Sequence, residues 1–146
     1  FFRLVQVAAA QTPWEFRHEP NGVKDILDDL IRQNAYVGLL GTVCRGVIDL
    51  PWHARTDLAA LVATIAAIRY EMERDECPDS LAQLVDAGLL RHVPQDPYST
   101  GPLTYKRTDG GFLLYSYGSD FDDDGGTPSQ WGQGEQGGDQ VFWPAR

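Results

Sequence analysis

Two cysteines, three histidines and one methionine leave this chain poor in the side chains from which soft-metal and redox sites are made. Cys44 and Cys77 lack Cys-x-x-Cys spacing, which excludes a zinc ribbon or a thioredoxin-like motif and leaves a single disulfide or two separate thiols. His18, His53 and His92 are scattered without metal-ligand spacing and read as surface or packing histidines. Basic residues are scarce too: 12 Lys and Arg against 21 Asp and Glu give a formal charge of −9 and a pI near 4.6. With no basic stripe, there is no face for the phosphates of a nucleic acid. No apolar run reaches the ~18 residues of a membrane span. The longest, LAALVATIAAI at 58–68, runs into Arg69 and Glu71. A signal-peptide layout is missing as well. The chain starts FFRL, which suggests a processed product or an excised piece with any membrane anchor upstream.

What is present suits a small globular protein, with 42% hydrophobic residues over 146 positions. The acidity is uneven. From Gly118 onward there are six acidic residues and only Arg146 is basic, so a cation is a better partner than a polyanion.

Residues 1–20 carry no clear period. From Asn21, a reasonable N-cap, Val23, Ile26, Leu27, Leu30 and Ile31 form one face of a helix, which can extend through Val37, Leu40, Val43 and Val47 to about Leu50. Gly38, Gly41 and Gly46 weaken that extension, and Pro51 is expected to end it. Thr56 or Asp57 then caps a second helix over 57–75, with Leu58, Leu61, Val62, Ile65, Ile68 and Met72 as its apolar stripe and alanines between them. A short helix with Leu81, Leu84 and Val85 follows, capped by Asp79 or Ser80 and closed by Gly88. After the turn-rich VPQDPYSTGP the period changes from 3.6 to 2. LTYKRT (103–108) and FLLYSY (112–117) read as strands joined by a hairpin at Asp109-Gly110-Gly111, and QVFWP (140–144) as an edge strand. The fold class expected is α+β: long helices laid on a small antiparallel three-stranded sheet, whose apolar faces they bury.

The densest chemistry lies in GSDFDDDGG (118–126), where Asp120, Asp122, Asp123 and Asp124 fall within five positions. Three readings compete: a solvated acidic turn, a catalytic carboxylate pair using Asp120 and Asp124, and a calcium site. Two like charges ~4 Å apart repel by ~1 kcal/mol in water and ~4 kcal/mol at an effective dielectric of 20. A domain stable by only ~5–15 kcal/mol tolerates several such pairs poorly, and a divalent cation reverses the sign. The spacing Asp120-x-Asp122-x-Asp124-Gly125 gathers alternate side chains around one point. It is not an EF-hand, because Trp131 stands where the twelfth-position glutamate belongs. Asp139, before the last strand, is the best source of a further ligand, with carbonyls near Tyr117 to complete the shell. The expected ligand set around a structural Ca2+ is therefore Asp120, Asp122, Asp124 and Asp139, with backbone carbonyls near Tyr117.

From about Asp57 onward the order of motifs resembles the soluble C-terminal domain of major pseudopilins of type II secretion systems. The residues that carry it are the Ala-rich helix running into IRYEMERDECPDSLAQLV, then Pro94, Asp96, Pro97, Tyr98, Gly101, Pro102 and Tyr105, then Tyr115, Ser116, Gly118 and Asp120, and the closing GGDQVF. The resemblance implies a structural calcium site in which Asp120 matches the first ligand aspartate, Asp139 the later one, and Tyr117 a carbonyl ligand. It covers about 90 residues. Residues 1–54 depart from it: Val5 stands where a glutamate is expected, and Arg3, Pro13 and Glu15 break the apolar helix that should follow. The expected organisation is a helical leader over 1–54 and a pseudopilin-like domain over 55–146.

The resemblance implies a non-enzymatic, extracytoplasmic subunit of a type II secretion-like pseudopilus. It would contact other pseudopilin-like subunits or envelope proteins, with no nucleic acid, and be held at the inner membrane by a segment outside this chain. The alternative is a calcium-stabilised binding module of a larger membrane-anchored envelope protein, using Trp131, Phe142 and Trp143 as an exposed aromatic patch.

Overall fold

The structure is a computed structural model that describes the chain apart from residues 1–5, 8–9, 21, 34, 130–136 and 145–146, and apart from side chains within 34–49. Asn21, Trp131 and the side chains of Cys44 and of the apolar positions 37–47 lie outside what is described. The chain divides into two compact units, 1–55 and 56–146.

In the first unit, α1 (Pro13–His18) starts with a capping box. The Thr12 hydroxyl accepts from the Glu15 N–H, the Glu15 carboxylate accepts from the Thr12 N–H, and Pro13 takes the first helical position. Trp14 and His18, one turn apart, stack with centroids 3.8 Å apart. The second helix, α2 (Val23–Gln33), carries the expected amphipathic pattern but buries none of its residues; Ile26 and Leu30 are exposed.

The long helix α3 (Ala35–Arg74) differs from expectation at its start. It passes through the glycines and through Pro51, and Thr56 and Asp57 lie inside it rather than capping it. A proline removes one backbone donor and crowds the preceding turn. Here helix formation on both sides outweighs that local cost. The helix stops where Asp75 takes a left-handed conformation (φ 56°) and donates its N–H to the Glu71 carbonyl.

The second unit follows the expected order. Helix α4 (Leu81–Asp86) begins at Ser80, whose hydroxyl accepts from the Gln83 N–H, and ends with Gly88 at φ 71°. Strands β1 (Thr104–Thr108), β2 (Gly111–Ser116) and β3 (Gln140–Trp143) form a three-stranded antiparallel sheet in the order β1-β2-β3. Thr108 pairs with Gly111 across the two-residue turn Asp109-Gly110.

Phe112, Leu114 and Ser116 point to one face of β2 and are all buried. Phe112 and Leu114 join a core with Ala60, Ala63, Ala66, Ala67 and Tyr70 of α3, Leu81 and Leu84 of α4, Cys77 and Leu103. The rings of Tyr105, Phe112 and Trp143 stack in series across the three strands, at 5.4 and 5.6 Å. Gln140 of β3 donates to the Asp57 carboxylate of α3 at 2.7 Å.

The contact face of α3 corrects the expectation from periodicity. Ala60, Ala63 and Ala67 are fully buried, while Leu58 (63% exposed), Leu61 (55%), Val62 (48%), Ile65 (57%) and Met72 (79%) face outward. The sheet already fills the interface with aromatic rings and Leu114, which leaves room for methyl groups rather than for leucines. Among the described residues no helix is long and apolar enough to cross a membrane.

Candidate metal site in the acidic loop

The loop is anchored at its start by Asp96. This residue is 3% exposed and accepts three hydrogen bonds: Oδ1 from the Tyr98 N–H (3.0 Å) and the Ser116 hydroxyl (2.8 Å), Oδ2 from the Tyr117 N–H (3.0 Å). Ser116 Oγ in turn accepts from the Gly118 N–H. Burial raises the Asp96 carboxyl above its ordinary range while these three donors pull it back. An aspartate in a turn 20 residues earlier thus fixes the end of β2, where a 3-10 turn (Gly118–Asp120) begins.

The chain then folds back over the face of β2 that points away from the helical core. Gly126 lies against Leu113: a Cβ there would come within 2.5 Å of Leu113 Cδ2. Tyr115, fully buried on the same face, donates its hydroxyl to Asp123 Oδ1 at 2.8 Å and accepts from Lys106 Nζ at 2.7 Å. Lys106 and Tyr115 are diagonal neighbours in the β1–β2 register. The Tyr115 hydroxyl holds the Asp123 carboxyl below its ordinary range. Farther along, 127–129 pairs with 138–139 through the Asp139 N–H to the Thr127 carbonyl (2.7 Å) and the Ser129 N–H to the Asp139 carbonyl (2.9 Å). Gly138 makes this approach possible. Its φ is 147°, and a Cβ would stand 2.7 Å from the Ser129 backbone.

Of the expected ligands, Asp120 and Asp124 are brought together. A Cβ on Gly137 would lie 3.3 Å from Asp120 Oδ2 and 3.6 Å from Asp124 Oδ2, so both oxygens reach one point. Asp120 Oδ2 also accepts from the Gly138 N–H at 2.6 Å. Asp124 is raised, first by the desolvation it does suffer and then by the charges of Asp120 and Asp122. Asp139 is fully buried; its Oδ2 accepts from the Gly126 N–H at 2.6 Å, while Oδ1 meets no donor among the described residues. Burial pushes its carboxyl up to about 6. The Gly126 N–H opposes the rise, as does the nearby Asp124 N–H, which makes no hydrogen bond to Oδ1, and the charges of Asp123 and Asp124 add to it.

Asp122 is not turned toward this centre by its hydrogen bonds. It is exposed, its N–H donates to Asp120 Oδ1, and its own Oδ1 accepts from the Asp123 N–H. Tyr117 sits at the head of the 3-10 turn with its N–H on Asp96. Among the described residues no three His, Cys, Asp or Glu side chains stand close enough to form a ready-made metal group. The donors nevertheless suit a hard cation, since they are all oxygen and include a buried carboxylate oxygen that no donor among the described residues satisfies.

Comparison with known proteins finds no matching family model, curated protein or solved structure. The sequence does not single out two residues with roles in the loop: Asp96 is one member of an Asp-Pro-aromatic motif, and Asp123 one charge in a run. The signal for Asp123 is the strand alternation that puts Tyr115 on the loop side of β2, but nothing local says the loop will fold back over it.

Proposed function

We propose that this chain is a non-enzymatic structural subunit of a type II secretion-like pseudopilus, extracytoplasmic and stabilised by calcium in the 118–139 loop. The observation that carries the assembly role is the outward stripe Leu58, Leu61, Val62, Ile65 and Met72. A helix that packs alanines inward and displays its large apolar side chains has its strongest hydrophobic contact still to make. At about 25 cal/mol per Å² of buried apolar area, covering these five side chains by neighbouring pseudopilin-like subunits contributes several kcal/mol per contact.

Calcium has a defined part in this reading. Asp120, Asp124 and Asp139 would hold it, with Asp122 and the Tyr117 carbonyl as further oxygen donors, and it would supply positive charge where the carboxylates crowd. The loop covers one face of β2, so ordering it fixes the outer surface of the subunit. Anchoring to the inner membrane would come from a segment outside this chain. The rival module reading needs an exposed aromatic patch. Phe142 and Trp143 are instead partly buried against the core, and Trp131 lies outside the described residues.

Replacing Leu61 by Cys in a Cys44→Ser background, in the native cell envelope, tests the assembly. Mild oxidation should link copies in disulfide-bonded pairs, since Cys77 is buried and each copy then carries one accessible thiol. Monomer alone, with the variant present at normal amounts, would contradict self-assembly through this face.

A further inference from the structure

We infer that Lys106 is a built-in counter-cation of the acidic loop, holding its charge in check before a divalent ion binds and weakening the grip on that ion afterwards. The inference rests on the cation reading of the loop, and it names a residue outside the ligand set that tunes the site. The geometry is specific. Lys106 Nζ lies 2.7 Å from the Tyr115 hydroxyl and 5.1 Å from the centroid of the Tyr115 ring. The same hydroxyl donates to Asp123 Oδ1 at 2.8 Å, so one phenol links the ammonium to the loop. Asp123 is pinned further by the Gly125 N–H at 3.0 Å. The ammonium therefore approaches from the sheet side, whereas Asp120 and Asp124 converge near Gly137.

The link to the loop is direct: the Tyr115 hydroxyl that accepts from Lys106 Nζ donates to Asp123 Oδ1, so ammonium, phenol and carboxylate form one hydrogen-bonded chain. A second, independent feature favours a ligand: Asp139, fully buried, has one carboxylate oxygen with no donor among the described residues. A positive charge fixed beside such a centre has two effects of opposite sign. It lowers carboxylate repulsion in the metal-free loop, and it repels the dication that would replace that repulsion with attraction. A residue that merely props the loop has effects of one sign only, since losing it loosens the loop and weakens binding together.

The test compares wild type with Lys106→Met, which keeps the aliphatic stem over the Tyr115 ring, and with Lys106→Gln and Lys106→Arg. Calcium chloride is the probe, read by calorimetric titration and by melting in chelator. For Met and Gln, calcium binding should tighten by about threefold or more, while the calcium-free melting temperature falls by about 2–4 °C. Arg should behave as wild type in both. Calcium binding that is equal or weaker in Met and Gln, with wild type binding normally, would overturn the role of Lys106 alone. Wild type that binds no calcium at millimolar concentration would overturn the cation reading of the loop and this inference with it.

Discussion

Asp96 gathers the Tyr98 N–H, the Tyr117 N–H and the Ser116 hydroxyl onto one buried carboxylate, and through Ser116 it also reaches the Gly118 N–H. Removing it would strand three donors in the interior, and each stranded donor costs roughly 1–3 kcal/mol. Asp96→Ala should therefore lose about 3 kcal/mol or more of stability in urea unfolding. Asp122→Ala, an exposed turn residue, should stay within about 0.5 kcal/mol in chelator. Equal losses for the two would show that the clamp does not hold the loop. At this scale the sequence is only partly informative. Residue types and spacing single out Asp120, Asp122, Asp124 and Asp139 without separating Asp122 from the rest, and which oxygen is satisfied depends on chain brought from far away. Asp139 receives Gly126, Asp120 receives Gly138, and Asp123 receives Tyr115.

At the scale of elements, local chemistry makes the second half of the chain readable. Ser80 and Gly88 bracket α4, Asp109-Gly110 closes the hairpin, and period-2 alternation gives β1 and β2 within a residue or so. These signals act over a few positions and depend little on tertiary context. The long helix is different. Periodicity finds its largest apolar stripe but does not say which stripe meets the sheet, and the aromatic series Tyr105, Phe112 and Trp143 decides that in favour of the alanines. The same limit applies to Pro51, whose breaking tendency is a local cost that flanking helix absorbs. The two faces of α3 should answer mutation oppositely. Ala63→Leu overfills the interface and should cost about 1–3 kcal/mol in the isolated chain. Ile65→Ala should change that stability by less than about 0.5 kcal/mol, yet weaken association between copies. Denaturant melts and sedimentation velocity on the same two variants separate these outcomes, and a large stability loss for Ile65→Ala would place the packing face on the wrong side.

At the scale of the molecule, the second unit is a sheet covered twice, by the small-residue face of α3 together with α4 on one side and by the acidic loop on the other. The first cover is held by apolar packing. The second is held by Asp96, by the Lys106–Tyr115–Asp123 chain and by the pairing of 127–129 with 138–139. It also carries clustered carboxylates, among them a buried one whose remaining oxygen meets no donor among the described residues. A ligand that binds only the folded loop stabilises the fold by RT ln(1 + [L]/Kd), about 2.7 kcal/mol at a hundredfold excess over Kd.

Thermal unfolding of chelator-stripped protein, followed as free calcium is raised from nanomolar to millimolar, measures that linkage directly. A divalent ion among Asp120, Asp124 and Asp139 predicts a melting temperature that climbs with the logarithm of calcium once Kd is passed, by about 5 °C or more at the hundredfold point, and that stays flat in Asp139→Asn. Superimposable melts of the wild type across the whole range would contradict it.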